Sequence, residues 1–323
     1  MRIAALLTRP LAVGLSLGLT TLLVGVFASQ SALAQLSYRS GQHVEPAYEG
    51  WRPNDDGSIS LVFGYFNENW EETPEIPIGD NNYFSPGARD QGQPTHFLPR
   101  RNRFTFEVVV PADFGDEEEL VWTLTSPNGV TKKAYATLLP DYKIDDIIIA
   151  SETGSLGAGT SSPESRANVP PQVEIIGDRV RTVHTGEALH VQARVTDDGI
   201  PKPGRVGSTS SLHPKSPEEW KKEVLDPPSR VTVGKVNGLF LSWNKYRGPG
   251  EVSFEPPQVK PWEDTRTSAN SPWSALWMPP EIPADGIYDV EVSFSEPGQY
   301  TLWARADDGG LFQDQFLEVT VLP

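Results

Sequence analysis

The stretch that decides the fold lies near the end of the chain: Phe294-Ser295-Glu296-Pro297-Gly298-Gln299-Tyr300-Thr301-Leu302-Trp303-Ala304-Arg305-Ala306-Asp307-Asp308-Gly309-Gly310, followed by Leu311-Phe312-Gln313-Asp314-Gln315-Phe316-Leu317-Glu318-Val319-Thr320-Val321. Two apolar runs flank an Asp-Asp-Gly step, which suits a tight hairpin because glycine accepts positive φ. Side chains alternate across a strand, so Tyr300, Leu302, Ala304 and Ala306 fall on one face and Thr301, Trp303 and Arg305 on the other. A hairpin this apolar does not stand alone in water and requires a second sheet over it. Most of the chain from Asn168 onward can supply that cover.

Working outward, 323 residues allow two domains of ordinary size. Hydrophobic residues make up 37%, enough for packed cores and too many for a disordered chain. The 28 Gly and 30 Pro punctuate short strands and turns rather than long helices. The net charge is −16, and the first 34 residues hold two arginines and no acid, so the remainder is more acidic still. Such a surface repels phosphate backbones and anionic lipid, which argues against nucleic acid and membrane surfaces as partners. Cysteine is absent, which excludes disulfides, thiolate metal sites and a cysteine nucleophile.

Residues 1–34 have the pattern of a secretory signal. Arg2 and Arg9 precede an apolar run from Leu11 to Phe27, and Ala32-Leu33-Ala34 supplies a small-x-small cleavage site before Gln35. The run is slightly long, so an uncleaved anchor is the alternative. No second hydrophobic segment occurs, and a soluble periplasmic or extracellular protein is expected.

Residues 35–150 read as a first β-sandwich. Strands are expected at Ser58–Phe66, Arg103–Val110, Glu119–Thr125 and Lys132–Leu138, the last two joined by Ser126-Pro127-Asn128-Gly129, a strong turn signal. Between Asn67 and Arg103 runs a long polar stretch rich in Pro, Gly and Asn, expected to be functional or packed as an Ω-loop. Residues 151–167, rich in Ser and Gly, read as a linker. The fold class is therefore all-β, two antiparallel β-sandwich domains, the second spanning 168–323.

From Asn168 the chain resembles bacterial Ig-like repeats of the PKD type. The pieces that carry the resemblance are Asn168-Val169-Pro170-Pro171-Gln172-Val173, Val195-Thr196-Asp197-Asp198-Gly199, Leu241-Ser242-Trp243, Gly248-Pro249-Gly250-Glu251-Val252-Ser253-Phe254 and the opening hairpin. The resemblance implies a sandwich with Trp243 in its core, Tyr300 as a tyrosine corner and a role as spacer or binding unit. This chain departs from the family by two insertions, Lys202–Gly238 and Val259–Asp285. The first contains Ser216-Pro217-Glu218-Glu219-Trp220, a short capped helix by sequence. The second contains Trp262, Trp273 and Trp277. The first domain, through Gly92–Phe104 and Val121–Leu124, resembles a block in exported bacterial proteins of unknown role, which implies no activity.

Candidate chemistry is sparse. No nucleophile elbow, His-Glu zinc helix, phosphate loop or dinucleotide glycine pattern occurs. His96 with Arg100 and Arg101 suggests a small anionic or polar ligand site, against the plainer reading that these groups pair within the chain. The proline-rich tryptophan insertion forms either a cap on the sandwich or an exposed aromatic contact surface. Asp197, Asp198, Asp307 and Asp308 converge if their loops share one end of the sandwich, and would then suit Ca²⁺; alternatively each Asp closes its own turn. The expected function is non-enzymatic binding or scaffolding toward a protein or glycan partner. The alternative is a carbohydrate-active enzyme or its accessory subunit, with first-domain carboxylates such as Glu68, Glu71 and Glu72 as acid and base.

Overall fold

The computed structural model describes residues 39–115, 117–152, 163, 165–201, 238–258 and 282–323. The expected signal at 1–34, the capped helix at 216–220 and the tryptophans at 262, 273 and 277 lie outside the described residues.

The N-terminal half contributes two three-stranded sheets. One has the order β1 (Val44–Pro53), β2 (Ile59–Asn67), β4 (Arg100–Val110); the other has β3 (Asn82–Ser85), β5 (Leu120–Thr125), β6 (Thr131–Ala136). Every pairing within them is antiparallel. Their inner faces meet in an aromatic core. Phe84 stacks on Trp122 at 5.9 Å, and Phe106 meets the same indole edge-on at 5.1 Å. Such pairs add roughly 0.5–1.5 kcal/mol each beyond area burial. The Asn128-Gly129 step makes the expected β5–β6 turn, with Gly129 N donating to Ser126 O. A short helix, α1 (Asp146–Glu152), begins where Asp145 Oδ1 accepts from Ile148 N, a side-chain N-cap. Seven residues are too few for a helical period to show in the sequence, and no helix is expected there.

The C-terminal half is an Ig-like sandwich by strand order. One sheet runs β11 (Val252–Glu255), β12 (Ile287–Phe294), β9 (Leu189–Thr196), β7 (Gln172–Ile175). The other runs β10 (Phe240–Arg247), β13 (Gly298–Asp307), β14 (Phe312–Leu322), β8 (Val180–His184). This is the ABED and CFG arrangement of Ig domains, with the first strand divided between sheets so that β8 pairs parallel to β14. Trp243 is 1% exposed in the core between the sheets, together with Tyr300, Leu302, Ala304 and Ala306.

Tyr300 is a tyrosine corner, as the sequence implies. Its hydroxyl donates to Glu296 O at 2.8 Å and accepts from Gly250 N at 3.0 Å. The Gly248-Pro249-Gly250 step exists for this ring: a Cβ at Gly248 would lie 2.1 Å from Tyr300 Cδ1, and Gly248 has φ +142°.

The two sheets of this sandwich differ on their outer faces. β7, β9 and β12 alternate buried and exposed residues, the signature of a sheet wetted on one side. β10 is buried from Phe240 to Tyr246 and β13 from Leu302 to Asp307. The second face of β13, carrying Trp303 and Arg305, is therefore covered as well, and the N-terminal half is what covers it.

That cover runs the length of β10. At the far end of β10, Tyr246 O accepts from Thr95 N and His96 N, Tyr246 Oη donates to Gly92 O, and Arg247 reaches Gln93 O and the Asp90 carboxylate. In the middle, Tyr246 and Trp303 join the N-terminal aromatic core. Near the hairpin turn, Leu311 packs with Val62, Phe104, Ile144, Ile149 and Ala150. Arg305, fully buried, donates to Phe104 O at 2.7 Å and to both oxygens of Asp314. A break in the β2–β4 register between Phe63 and Tyr65 carries Phe104, at φ +48°, out of the first sandwich and onto Phe312. Non-glycine residues at positive φ persist only where surrounding structure holds them, and here the buried joint does so.

Candidate functional site

Strand directions place both Asp-Asp-Gly turns of the second sandwich at one pole, opposite the Gly248–Gly250 step. β9 runs toward it and ends at Thr196 opposite Gln172, where β7 begins; β13 ends there at Asp307, paired with Phe240 at the start of β10. The described residues break off at Pro201, after β9, and resume at Gly238, ahead of β10, on the side of this pole. Gln258 Oε1 accepts from Trp243 N beside β10, and after residues 259–281 the described residues resume at Ile282, ahead of β12.

The start of the sandwich lies between the two Asp-Asp-Gly loops at this pole. Asp198 Oδ2 accepts from Val169 N and Asp308 Oδ2 accepts from Asn168 Nδ2, both at 3.1 Å. Each carboxylate also closes its own turn. Asp197 accepts from Gly199 N, Asp198 from Ile200 N, Asp307 from Gly309 N, and Asp308 from both Gly310 N and Leu311 N. Gly309 has the positive φ the turn requires, +98°. The strand register closes at Asp307 opposite Phe312, which leaves Asp308–Leu311 as a four-residue loop in which Asp308 N donates to Leu311 O.

Burial sets the electrostatics of this pole. Asp307 and Asp308 are 2% and 1% exposed. Desolvation pushes the Asp308 carboxyl up to about 7, against the pull of its backbone donors; desolvation also raises Asp197, with a smaller push from Asp198. The oxygen-only donor set suits Ca²⁺ in kind. As placed, the carboxylates serve the turns. Asp197 Oδ1 and Asn168 Oδ1 are buried there without a hydrogen-bond partner among the described residues.

The basic residues expected as a ligand site are not gathered into one. His96 Nδ1 lies 2.6 Å from Glu75 Oε1, which also meets Lys245 Nζ at 2.5 Å, so His96 belongs to the joint between the halves. The Arg100 guanidinium stacks between Trp70 and Phe66 and donates to Glu68 O. Arg101 makes a two-pronged pair with Glu49, whose carboxyl burial raises despite that partner. The proposed acid–base carboxylates are engaged too: Glu71 pairs with Arg39, Glu72 accepts from Gly41 N, and Glu68 faces His43.

The polar stretch from Asn67 to Arg103 is packed, and its amides hold it. Asn67, Asn82 and Asn102 are fully buried. Asn67 Nδ2 donates to Glu72 O and Phe97 O, and Asn82 bridges Ile76 O, Pro94 O and the Trp122 indole N–H. The amides of Asn67 and Asn82, bonded at both oxygen and nitrogen, rigidify a loop that composition alone marks as irregular.

No protein-family model matches the chain, and no curated protein matches it in sequence. Among solved structures, a chimeric titin Z1Z2 carrying a decorin peptide is similar over 86% of this chain and 91% of its own, at 11% identity and TM-score 0.22. Domains 4 and 5 of the S-layer protein SbsC match over 87% and 98%, at 10% identity and TM-score 0.23. Fibronectin(III)-like modules of Clostridium thermocellum CbhA match over 86% and 94%, at 9% identity and TM-score 0.21. Likeness at this level carries no argument, and the Ig-like assignment stands on the strand order and the tyrosine corner. Among the described residues no helix is long and apolar enough to cross a membrane.

Proposed function

We propose that this is an exported, non-enzymatic binding or structural protein of the periplasm or cell exterior. An Ig-like sandwich of the PKD type presents its insertion-bearing pole to a protein or glycan partner. The observation that supports this most is the division of the sandwich surface. β10 and most of β13 are covered by the N-terminal half and the other sheet shows an alternating polar face, while the residues that follow both insertions, Gly238 and Ile282, lie at a single end. Trp262, Trp273 and Trp277 belong to one of those insertions, and tryptophan is the residue type most enriched at contact hot spots. The pattern of residues 1–34 supports export.

The test is capture from native envelope extract and from a glycan panel, comparing the wild-type chain with the triple variant Trp262→Ala, Trp273→Ala, Trp277→Ala. Binding that falls at least about tenfold in the variant, as loss of hot-spot side chains implies, is the expected result. Equal binding before and after substitution contradicts the reading, and turnover of a glycan by the purified chain replaces it with the enzymatic one.

A further inference from the structure

We propose that His43, Glu45 and Glu68 hold one divalent transition-metal ion, of the class of Zn²⁺, where the chain enters the first sandwich. His43 immediately precedes β1, Glu45 is two residues on, and Glu68 immediately follows β2; the register Val44 opposite Asn67 brings them together. Their donor atoms all lie within 4.8 Å of one another, and all three side chains are half-buried.

The ring of His43 faces a carboxylate at each nitrogen: Nε2 is 2.9 Å from Glu45 Oε1 and Nδ1 is 3.7 Å from Glu68 Oε2. A neutral imidazole carries one N–H. If Nε2 donates it to Glu45, the Nδ1 lone pair confronts the Glu68 carboxylate, which is repulsive; one ion meets only one ring nitrogen, so Glu45, which faces Nε2, joins an ion on Nδ1 by turning its carboxylate from the Nε2 side toward it. A second ring proton does not close that gap, because 3.7 Å is beyond hydrogen-bond reach. A metal ion does: two donors each about 2.1 Å from one ion lie about 3.4 Å apart at the tetrahedral angle and about 3.6 Å apart at 120°. Imidazole with carboxylates suits Zn²⁺ and its neighbours rather than Ca²⁺, which takes oxygen donors.

The surrounding backbone is fixed. Glu68 N donates to His43 O, Gln42 N to Asn69 Oδ1, Val44 N to Ser126 Oγ, and Arg100 Nη1 to Glu68 O. One group opposes the ion: Lys132 Nζ sits 2.7 Å from Glu45 Oε1 and competes for that carboxylate.

The experiment is titration of the metal-stripped full chain with Zn²⁺, read by calorimetry and melting temperature, and with Co²⁺, read by visible d–d absorption. One site per chain and a melting temperature higher by about 5 °C at roughly 100-fold excess over Kd are expected. His43→Ala and Glu68→Gln each weaken binding about tenfold or more, while His190→Ala, at an exposed histidine elsewhere, leaves it unchanged. Lys132→Met tightens it by freeing Glu45. Circular dichroism of each variant shows whether it folds, and Glu68→Gln keeps the side-chain volume if His43→Ala does not. Absence of a one-to-one site overturns the proposal in favour of a proton-only ion pair, as does equal loss in His190→Ala. Unchanged affinity in Lys132→Met removes Glu45 from the donor set and overturns the three-donor site.

Discussion

Replacing Arg305 by leucine destabilises the protein by about 3 kcal/mol or more, the usual cost of breaking a buried ion pair from one side. Arg305 is fully buried between the halves, with its guanidinium shared by Asp314, the Phe104 carbonyl and the faces of Trp303 and Phe312. Leucine restores some apolar contact and leaves two acceptors without their donor, though Trp303 Nε1 still donates to Asp314. The double variant Arg305→Leu, Asp314→Leu recovers part of the loss, because neither ion is then left buried alone. Denaturant midpoints measure both variants. A single-variant loss under about 1 kcal/mol, the range of a surface pair, would mean that the joint is open to water.

The second large effect is on the pH dependence of stability. Asp308 titrates near 7 in the folded protein and, once unfolded, near its ordinary value of 3.8. Between those values the folded state holds a proton that the unfolded state has released, so stability falls as pH rises from about 4 to about 7 and stays low above it. The full span is on the order of 4 kcal/mol at 1.36 kcal/mol per pH unit, an upper bound. Asp197, raised by burial at the same pole, acts in the same direction; Asp307 and Asp198 are the other acids facing it. Melting curves at pH 5.5 and pH 8, taken with chelator, are expected to favour pH 5.5, and Asp308→Asn flattens the difference while keeping an acceptor for the turn. A wild-type difference that survives in Asp308→Asn assigns the titration elsewhere. Millimolar Ca²⁺ in place of chelator tests the cation reading: a higher melting temperature at pH 8 supports an ion among the four aspartates, and no change leaves them as turns.

These two effects mark where sequence reading stops. The alternation of Tyr300, Leu302, Ala304 and Ala306 identifies the core face of β13, and the spacing of Gly248, Gly250 and Tyr300 suits the corner that forms. The same alternation puts Trp303 and Arg305 on the other face and says nothing about what covers it, since period-2 patterning reports direction and not partner. β1 is hidden because Pro46, Gly50 and Pro53 interrupt it, and β3 because Asn82–Ser85 lies inside a polar stretch. The bonds that pack that stretch join residues such as Asn82 and Trp122, a separation no local pattern encodes. His43 and Glu45 are visibly two apart, but Glu68 joins them only through the β1–β2 register. The Asp-Asp-Gly turns were legible as turns; the burial of Asp308 was not, because it depends on Asn168 and on packing around Leu311.

The two halves share one buried joint, with Tyr246, Trp303, Arg305 and Leu311 set against the N-terminal half. Scanning calorimetry of residues 39–323 with chelator tests it most directly. A shared joint predicts one transition whose calorimetric and van't Hoff enthalpies agree, shifted as a whole by Arg305→Leu. Two separable transitions, with Arg305→Leu moving only the one that belongs to the C-terminal sandwich, would contradict it.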